Sequence, residues 1–207
     1  ARTIRRKISE EAYDFIHRCC GSYEAQKADA IYRFVQEGLR MGRAVMSHLT
    51  APYMQTLFAI ERNFTNESHF FIEILRFEEL ENGTLFGRIN PKSEVLPYLA
   101  DHFADRFAGE QWVIADTVHR TVLLHKANYK TVYLSMDEVD MDELTLTYSE
   151  DEKQLQKLWK LFVDTIAIKE RVNPKLQRQM LPLRFRKYMK EFSESAVSYT
   201  HLRAHET

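Results

Sequence analysis

The stretch IEILRFEELENGTLFGRINP, residues 72–91, decides the fold of this chain. Apolar residues recur from Ile72 onward on both sides of Asn82-Gly83, a dipeptide that favours the tight turn of a β-hairpin. Pro91 ends the pattern, because proline cannot donate a hydrogen bond to a neighbouring strand. We therefore predict that this stretch is a hairpin and that it opens the sheet of the protein.

The residues that follow the hairpin predict one helix and three more strands. A helix from about Glu94 to Phe107 carries an apolar stripe at helical spacing. The connections after it are too short for crossover helices, which favours antiparallel neighbours. The three strand-like runs are Gln111–Ala115, Thr121–His125 and Thr131–Leu134. Residues 71–134 are therefore predicted to form a small antiparallel sheet of about five strands with one inserted helix.

Helical patterns precede the sheet, over residues 9–70. Ser9 is a good N-cap, and Gly21 ends the first helix. A second helix is predicted from about Ala25 to Met41, a third from Pro52, and a short one over Asn66–Phe70.

Helical patterns also follow the sheet, over residues 150–192. A stripe about 140° wide predicts a helix that packs against a core, with Trp159 as a packing residue. The stripe consists of Leu155, Leu158, Trp159, Phe162, Val163 and Ile166. The predicted fold class is α+β, with N-terminal helices, the sheet, and a C-terminal helical unit.

The two ends of the chain need separate treatment. The sequence begins at Ala1, inside a basic run, so we expect an N-terminal truncation. Residues 197–207 (VSYTHLRAHET) resemble the translation of a transposase sequencing adapter and are set aside as an artefact. One α+β domain over residues 1–196 is the resulting prediction.

Composition excludes several classes of protein. The chain has 207 residues, of which 44% are apolar, which argues against a disordered or collagen-like chain. Its net charge of −1 provides no overall attraction to nucleic acid. No window of 18 apolar residues is present, so no membrane association is predicted. Cys19 and Cys20 are adjacent within a helical pattern, where a disulfide would be strained, so we expect reduced thiols and a cytoplasmic location.

Charge is concentrated in two segments. Met136–Glu152 holds eight acidic residues and no basic one, and a solvated loop is expected there. Ile168–Lys190 has a local charge of +7, and its basic side chains could either meet phosphates or pair with the acidic segment. The candidate nucleic-acid contacts are Arg171, Lys175, Arg178, Arg184, Arg186, Lys187 and Lys190. We expect Phe185, Tyr188, Met189 and Phe192 to dock the last helix, and so turn Arg186, Lys187 and Lys190 outward.

Candidates for catalysis are scattered polar residues. Phosphate-binding glycine loops, metal-binding His motifs, nucleophile elbows and cysteine triplets for iron–sulfur clusters are absent from the sequence. The remaining candidates are Glu67, His69, His102, Arg106, Asp116 and Arg120. A metal site built from His69, His102 and Asp116 has no supporting spacing, so we predict no metal and no cofactor. Each residue also has an ordinary structural interpretation, since polar side chains near apolar stripes are usually hydrogen-bonded.

Three sequence blocks carry a resemblance to a known family. They are NESHFFIEILRFEELENGTLFGRINP (66–91), VLPYLADHFADRFAGEQWVIAD (95–116, followed by Arg120) and LWKLFVDTIAIKERVNPKLQRQMLPLRFRKYMKEF (158–192). These blocks resemble the signature blocks of a bacterial domain-of-unknown-function family labelled as a probable DNA metabolism or repair protein. The resemblance covers roughly residues 25–192.

The resemblance implies a partner. Proteins of this family are typically encoded beside a radical-SAM protein, and the domain resembles the partner half of uracil-DNA-glycosylase-like fusions. The motifs of neither chemistry occur in this chain.

Three functions follow as expectations. The first is a DNA-directed accessory module that serves a radical-SAM or uracil-DNA-glycosylase-like repair partner. The second is an enzyme that processes a DNA base or nucleotide with the six candidate catalytic residues. The third is a scaffold that binds its protein partner and does not touch DNA.

Overall fold

A computed structural model describes residues 1–138, 147–166 and 173–189, together with Phe192. The predicted α+β class is confirmed, with one five-stranded sheet and helices on both sides of it in sequence. The chain packs as two compact units, Ala1–Phe71 with Pro91–Leu99, and Ile72–Asn90 with Ala100–Thr207. Arg171, Lys190, the adapter-like tail and residues 139–146 of the acidic segment lie outside the described residues.

Helices build the first unit. They are α1 (Arg2–Lys7), α2 (Glu10–Gly21), α3 (Lys27–Met41) and α4 (Pro52–Ile74), with a short 3-10 helix at Gly42–Ser47 before α4. The predicted N-cap is confirmed, because the Ser9 hydroxyl accepts the Ala12 amide at 3.0 Å. Phe15 and Phe34 lie at the centre of the apolar core, where their ring centroids are 5.9 Å apart.

Helix α4 is continuous, which corrects the prediction of two helices and of a strand beginning at Ile72. Neither glycine nor proline interrupts the sequence after Pro52, so nothing ends the helix before Ile74. Its buried residues also keep helical spacing to Phe71. Ile72 and Ile74 fit the two-residue alternation of a strand, but two apolar residues at this spacing also occur at the end of a helix, so the pattern does not distinguish the two.

The sheet forms the core of the second unit. Its strands are β1 (Phe77–Glu79), β2 (Leu85–Ile89), β3 (Trp112–Asp116), β4 (Thr121–His125) and β5 (Val132–Ser135), in that spatial order. The predicted hairpin is confirmed as β1 and β2, and β3, β4 and β5 are antiparallel as predicted. Gly83 has φ +77°, the left-handed conformation that glycine adopts without strain.

The prediction of an antiparallel sheet is wrong for one pair of strands. Strands β2 and β3 are parallel, with Ile89 opposite Asp116. The inserted helix, α5 (Leu96–Arg106), lies between them in sequence, and this connection carries the chain back so that β3 runs in the same direction as β2. The sheet is therefore mixed, and the carboxyl ends of its parallel strands, β2 and β3, lie side by side.

Strand β3 is buried along its whole length and packs on both of its faces. On one face, the Trp112 ring contacts Phe103 of α5 and Phe77 of β1, with centroids 6.4 and 6.2 Å apart. On the other face, Val113 and Ala115 belong to a separate apolar cluster with Leu80, which follows β1, and with Phe86 of β2 and Val122 of β4.

The C-terminal part of the chain contains α6 (Glu150–Ile166), α7 (Pro174–Met180) and a 3-10 helix at Leu183–Tyr188. The prediction that the stripe of α6 packs against a core is wrong. Leu155 is 62% exposed, Trp159 42% and Phe162 52%. The periodicity correctly predicts which side chains share a face, but it carries no information on what covers that face.

Candidate functional site

The carboxyl edge of β2 and β3 collects polar groups in the second unit. Because the two strands are parallel, Ile89 and Asp116 end them side by side. Asn90 and Thr117 follow directly. The Thr117 amide donates to the Ile89 carbonyl at 3.1 Å, so the backbone stays paired just beyond the strands. We call this region, with the turn that follows β3, the carboxyl edge.

Asp116 is the buried anchor of the carboxyl edge. Its side chain is only 1% exposed, and one oxygen, Oδ1, accepts the amides of Val118 (2.9 Å) and His119 (3.1 Å). The other oxygen, Oδ2, lies 2.7 Å from Nδ1 of the His119 ring. The carboxylate thereby fixes both the backbone of the turn and the orientation of the imidazole.

His119 presents its second ring nitrogen away from Asp116. A hydrogen on Nδ1 belongs in the bond to the carboxylate, which leaves Nε2 available for a ligand. The His119 side chain is 22% exposed, so it is covered in part but still accessible. A histidine oriented by a buried carboxylate is typical of proton-transfer and binding sites.

Arg120 completes the turn in the left-handed conformation, with φ +54°. This conformation is uncommon for a residue with a Cβ atom. Its guanidinium pairs with Asp137 at 2.6 Å, and both side chains are exposed. An ion pair so exposed contributes little stability.

The C-terminal 3-10 helix docks onto the carboxyl edge. The Asn90 side-chain amide donates to the Arg184 carbonyl at 3.0 Å, and the hydroxyls of Tyr188 and Thr117 are 3.0 Å apart. Phe185 and Met189 are buried, as the sequence predicts. Two polar contacts and two apolar anchors therefore fix the position of this segment.

Tyr188 has a perturbed phenol. Burial raises its pKa, but hydrogen bonds from Thr117 and Lys187, with the charges of Lys187 and Arg88, lower it more, so the net pKa lies below the ordinary 10. The Lys187 Nζ lies 5.0 Å from the centroid of the Tyr188 ring.

Arg88 is engaged in a second polar cluster. Its guanidinium donates to the carboxylate of Glu78 (3.2 Å) and to the hydroxyl of Tyr148 (3.0 Å). The Tyr148 hydroxyl donates to the same Glu78 oxygen at 2.8 Å. Burial, followed by the hydrogen bond to Glu78, raises the pKa of Tyr148 to about 12. Arg88 therefore compensates a buried carboxylate, and its guanidinium also lies over the Tyr188 ring at 5.1 Å.

The basic segment, residues 173–189, holds five of the seven candidate nucleic-acid contacts. Its exposed members are Lys175, Arg178, Arg184 and Lys187. Arg186 departs from the predicted outward orientation: it is half-buried, its Nε donates to the Leu181 carbonyl at 3.0 Å, and its guanidinium lies over the Phe192 ring. The other two candidates, Arg171 and Lys190, lie outside the described residues.

Two of the six catalytic candidates, Glu67 and His69, belong to the first unit. Glu67 is 4% exposed, and its two carboxylate oxygens accept the amides of Lys92 (2.9 Å) and Ser93 (3.1 Å). His69 lies two residues further along α4 and is exposed. The pair diverges, as their spacing on a helix predicts.

The other four candidates belong to the second unit. His102 lies edge-on to Phe103, and its buried Nε2 has no hydrogen-bond partner among the described residues. Arg106 is exposed, with its guanidinium 5.6 Å from the Phe107 ring. No hydrogen bond, ion pair or ring contact within the described part of this unit joins these two residues to Asp116 or Arg120.

The structure thus brings Asp116 and Arg120 together in one turn and adds three residues that the sequence-based site lacks: Thr117, His119 and Tyr188. His119 had a usable signal, because a histidine three residues after a strand-ending aspartate can return to that carboxylate. Tyr188 was predicted only as an apolar anchor. Its approach to Thr117 depends on residues 71 positions apart, which local sequence patterns do not report.

The described part of the chain shows neither a metal-binding cluster nor a membrane-spanning helix. The described residues contain no group of three or more His, Cys, Asp or Glu side chains that could hold a metal ion. Among the helices in the described ranges, none is long and apolar enough to cross a membrane.

Comparison with known proteins identifies a family. A family model described as a domain of unknown function, DUF4130, matches residues 25–191. Neither a curated protein nor a solved structure matches the chain.

Proposed function

The chain belongs to DUF4130, a family defined as a domain of unknown function, and from that premise we propose that it is a DNA-directed accessory module. Its basic segment meets the phosphate backbone, and a repair partner supplies the chemistry. The observation that carries this proposal is the set of exposed cations on a segment whose last part, the 3-10 helix, is held at the end of the sheet.

The charge of the basic segment supports the proposal. Residues 173–189 contain five basic side chains and no acidic one. Elsewhere many arginines have acidic partners, as Arg18 does in Glu61 and Arg33 in Asp29. Within the ranges that the structure describes, no ion pair joins Lys175, Arg178 or Lys187 to an acidic side chain. Their charge is therefore available to neutralise phosphates and release counterions.

The fixed position of the segment supports the proposal further. Phe185 and Met189 are buried, and Tyr188 is held at Thr117, so the neighbouring Lys187 projects from an ordered backbone. Cations on an ordered segment lose less conformational entropy on binding than cations on a free tail. Such contacts position a protein on nucleic acid without reading its sequence.

The partner in this proposal is a radical-SAM protein or a uracil-DNA-glycosylase-like protein. The sequence blocks that resemble the DNA metabolism family motivate this part of the proposal. The chain has two cysteines, which are adjacent, so a three-cysteine cluster would have to lie in the partner. The exposed apolar face of α6 is a surface that an accessory protein could bury against a partner.

Salt-dependent DNA binding tests the proposal. The test variant carries Lys175→Gln, Arg178→Gln and Lys187→Gln, which removes three exposed charges and leaves half-buried Arg186 in place. Fluorescence anisotropy with a labelled duplex, measured from low to moderate salt, gives the slope of log K against log salt. Each lost phosphate contact reduces the steepness of that slope by about 0.9, so the variant is expected to flatten it by two to three.

A matched control removes three exposed charges elsewhere, with Arg62→Gln, Lys126→Gln and Lys130→Gln. We expect the control to keep most of the slope, and both variants to keep the circular dichroism spectrum of the wild type. Equal slopes for the test variant and the wild type would remove the basic segment from the mechanism. The scaffold function would then be the better account.

A nucleotide-processing enzyme is the second candidate function. The observation that favours it is the buried carboxylate of Asp116 in contact with the His119 ring. Assays of the purified chain, alone and with its neighbouring gene products, on uracil-containing and otherwise damaged DNA test this candidate. Base release or strand cleavage by the chain alone that is lost in His119→Gln supports the enzyme. No activity of the wild-type chain, or equal activity of the wild type and His119→Gln, excludes an enzyme that works through His119.

A further inference from the structure

We propose that α6 is the contact surface of a homodimer, in which the apolar stripe of one helix packs antiparallel against the same stripe of a second copy. The inference goes beyond the proposed function, because the dimer needs neither DNA nor a repair partner. It assigns a second copy of this chain to a face that the sequence predicts to be packed and that is exposed in the single chain.

The stripe of α6 lacks the cover that such a helix needs. None of the side chains that the structure describes in α6 is buried, and Leu155, Leu158 and Phe162 are each more than half exposed. The helix is joined to the sheet at its first turn, where the Glu152 carboxylate accepts the Glu79 amide at 3.4 Å. Helices gain most of their stability in proteins from the packing of an amphipathic face, so α6 requires a surface that covers its stripe.

The area of the stripe is sufficient for a dimer. Its exposed members are Leu155 (62%), Leu158 (61%), Trp159 (42%), Phe162 (52%) and Ile166 (58%). Together they present about 600 Å² per copy, so a pair of copies buries up to about 1,200 Å², the lower end of the range for specific interfaces. Interfaces of this size are weak when nothing else contributes, so we expect a dissociation constant of about 10 μM.

The spacing of the stripe is compatible with a twofold axis. A twofold interface uses the same patch on both copies, so the patch must be complementary to itself. The stripe is symmetric about the midpoint between residues 160 and 161. An antiparallel copy therefore places Leu155 opposite Ile166, Leu158 opposite Val163, and Trp159 opposite Phe162. The two largest side chains of the stripe then lie at the centre of the interface, where aromatic residues contribute most to binding.

The charges that flank α6 favour a second copy in the antiparallel orientation. In the sequence, Met136–Glu152 holds eight acidic residues and no basic one, and Ile168–Lys190 has a local charge of +7. A parallel pair would bring like charges together at both ends of the helices. An antiparallel pair instead sets the acidic flank of each copy at the basic flank of the other, which is electrostatic complementarity of the chain with itself.

Sedimentation equilibrium over about 1–100 μM protein tests the dimer. We expect the mass of the wild type to rise with concentration from the 24.5 kDa of one chain towards twice that value. Phe162→Glu places a charge in the centre of the apolar contact and is expected to weaken association by at least about tenfold. Lys157→Glu is the matched control, because Lys157 is exposed and lies five residues earlier, on the opposite side of the helix, and this variant is expected to associate as the wild type does.

Disulfide cross-linking tests the orientation. In a Cys20→Ser background, which removes the exposed native thiol, a tagged chain with Leu155→Cys is mixed with an untagged chain with Ile166→Cys and oxidised. We expect a cross-link between the tagged and untagged chains, and little cross-linking of Leu155→Cys with itself. Cross-linking of Leu155→Cys with itself in place of the mixed product would overturn the antiparallel arrangement.

The same measurements can refute the dimer without reference to DNA. A wild type that keeps the mass of one chain up to about 100 μM overturns the homodimer, and the stripe is then left to another protein or to a different part of the same chain. Association that Phe162→Glu leaves unchanged overturns α6 as the contact surface. A monomeric wild type that still binds DNA with the expected salt slope refutes this inference alone, whereas a dimer that binds no DNA refutes the proposed function alone.

Discussion

Replacing Glu67 by Gln is expected to destabilise the first unit. Glu67 is 4% exposed, and each of its oxygens accepts a backbone amide, from Lys92 at 2.9 Å and from Ser93 at 3.1 Å. The substitution replaces one acceptor oxygen by an NH₂ group, so one amide faces another donor, and the remaining bond loses its charge. An unsatisfied buried amide and a weakened charged bond together cost about 2–4 kcal/mol.

The assay is thermal unfolding followed by circular dichroism. For a chain of this size, 1 kcal/mol corresponds to about 2–4 °C, so Glu67→Gln is expected to lower Tm by roughly 5–15 °C. Glu73→Gln is the matched control, since Glu73 is an exposed residue of the same helix, and its Tm is expected to stay within about 2 °C of wild type. An unchanged Tm in Glu67→Gln would refute a structural role for this carboxylate and return it to the catalytic candidates.

Three further predictions concern the C-terminal part of the chain and its tyrosines. Arg186→Gln is expected to lower Tm by about 2–4 °C, because it removes a hydrogen bond to the Leu181 carbonyl, whereas Lys187→Gln is expected to leave Tm unchanged. Equal effects of the two substitutions in thermal melts would contradict a half-buried Arg186 beside an exposed Lys187. In absorbance titrations of the tyrosines, Tyr188→Phe should remove a phenol whose pKa lies below the ordinary 10, and Tyr148→Phe one whose pKa is about 12, since burial and Glu78 disfavour the charged form of Tyr148. The reverse order would contradict the two environments. Deleting residues 197–207 is expected to leave Tm unchanged, and a drop of several degrees would show that this tail is genuine sequence.

The strands and most of the helices could be predicted from the sequence because their signals are local. Asn82-Gly83 indicated the hairpin turn, and Thr121–His125 was predicted with the bounds that the strand has. The end of α4 was missed because a two-residue alternation and a helical repeat agree over so short a stretch. The parallel pair was missed because strand direction depends on where the inserted helix carries the chain, and the sequence pattern of β3 is the same in either direction.

The candidate site was predictable only in part. Asp116 and Arg120 both lie in the short connection between the predicted strands Gln111–Ala115 and Thr121–His125, so their proximity followed from chain order. Tyr188 reaches Thr117 only after the C-terminal segment docks, and that docking depends on the burial of Phe185. The exposure of the α6 stripe was not predictable either, since an amphipathic pattern does not identify the surface that covers it.

Lysine footprinting of the unmodified protein tests the central claim most directly. The wild type is acylated with an amine-reactive reagent in the presence and absence of duplex DNA, at low salt, and each site is quantified by mass spectrometry. The account predicts that DNA protects Lys175 and Lys187 and leaves Lys126 and Lys130, which are also exposed, reactive. Protection confined to Lys126 and Lys130, or no protection of any lysine under conditions where DNA is bound, would contradict a DNA contact through the basic segment.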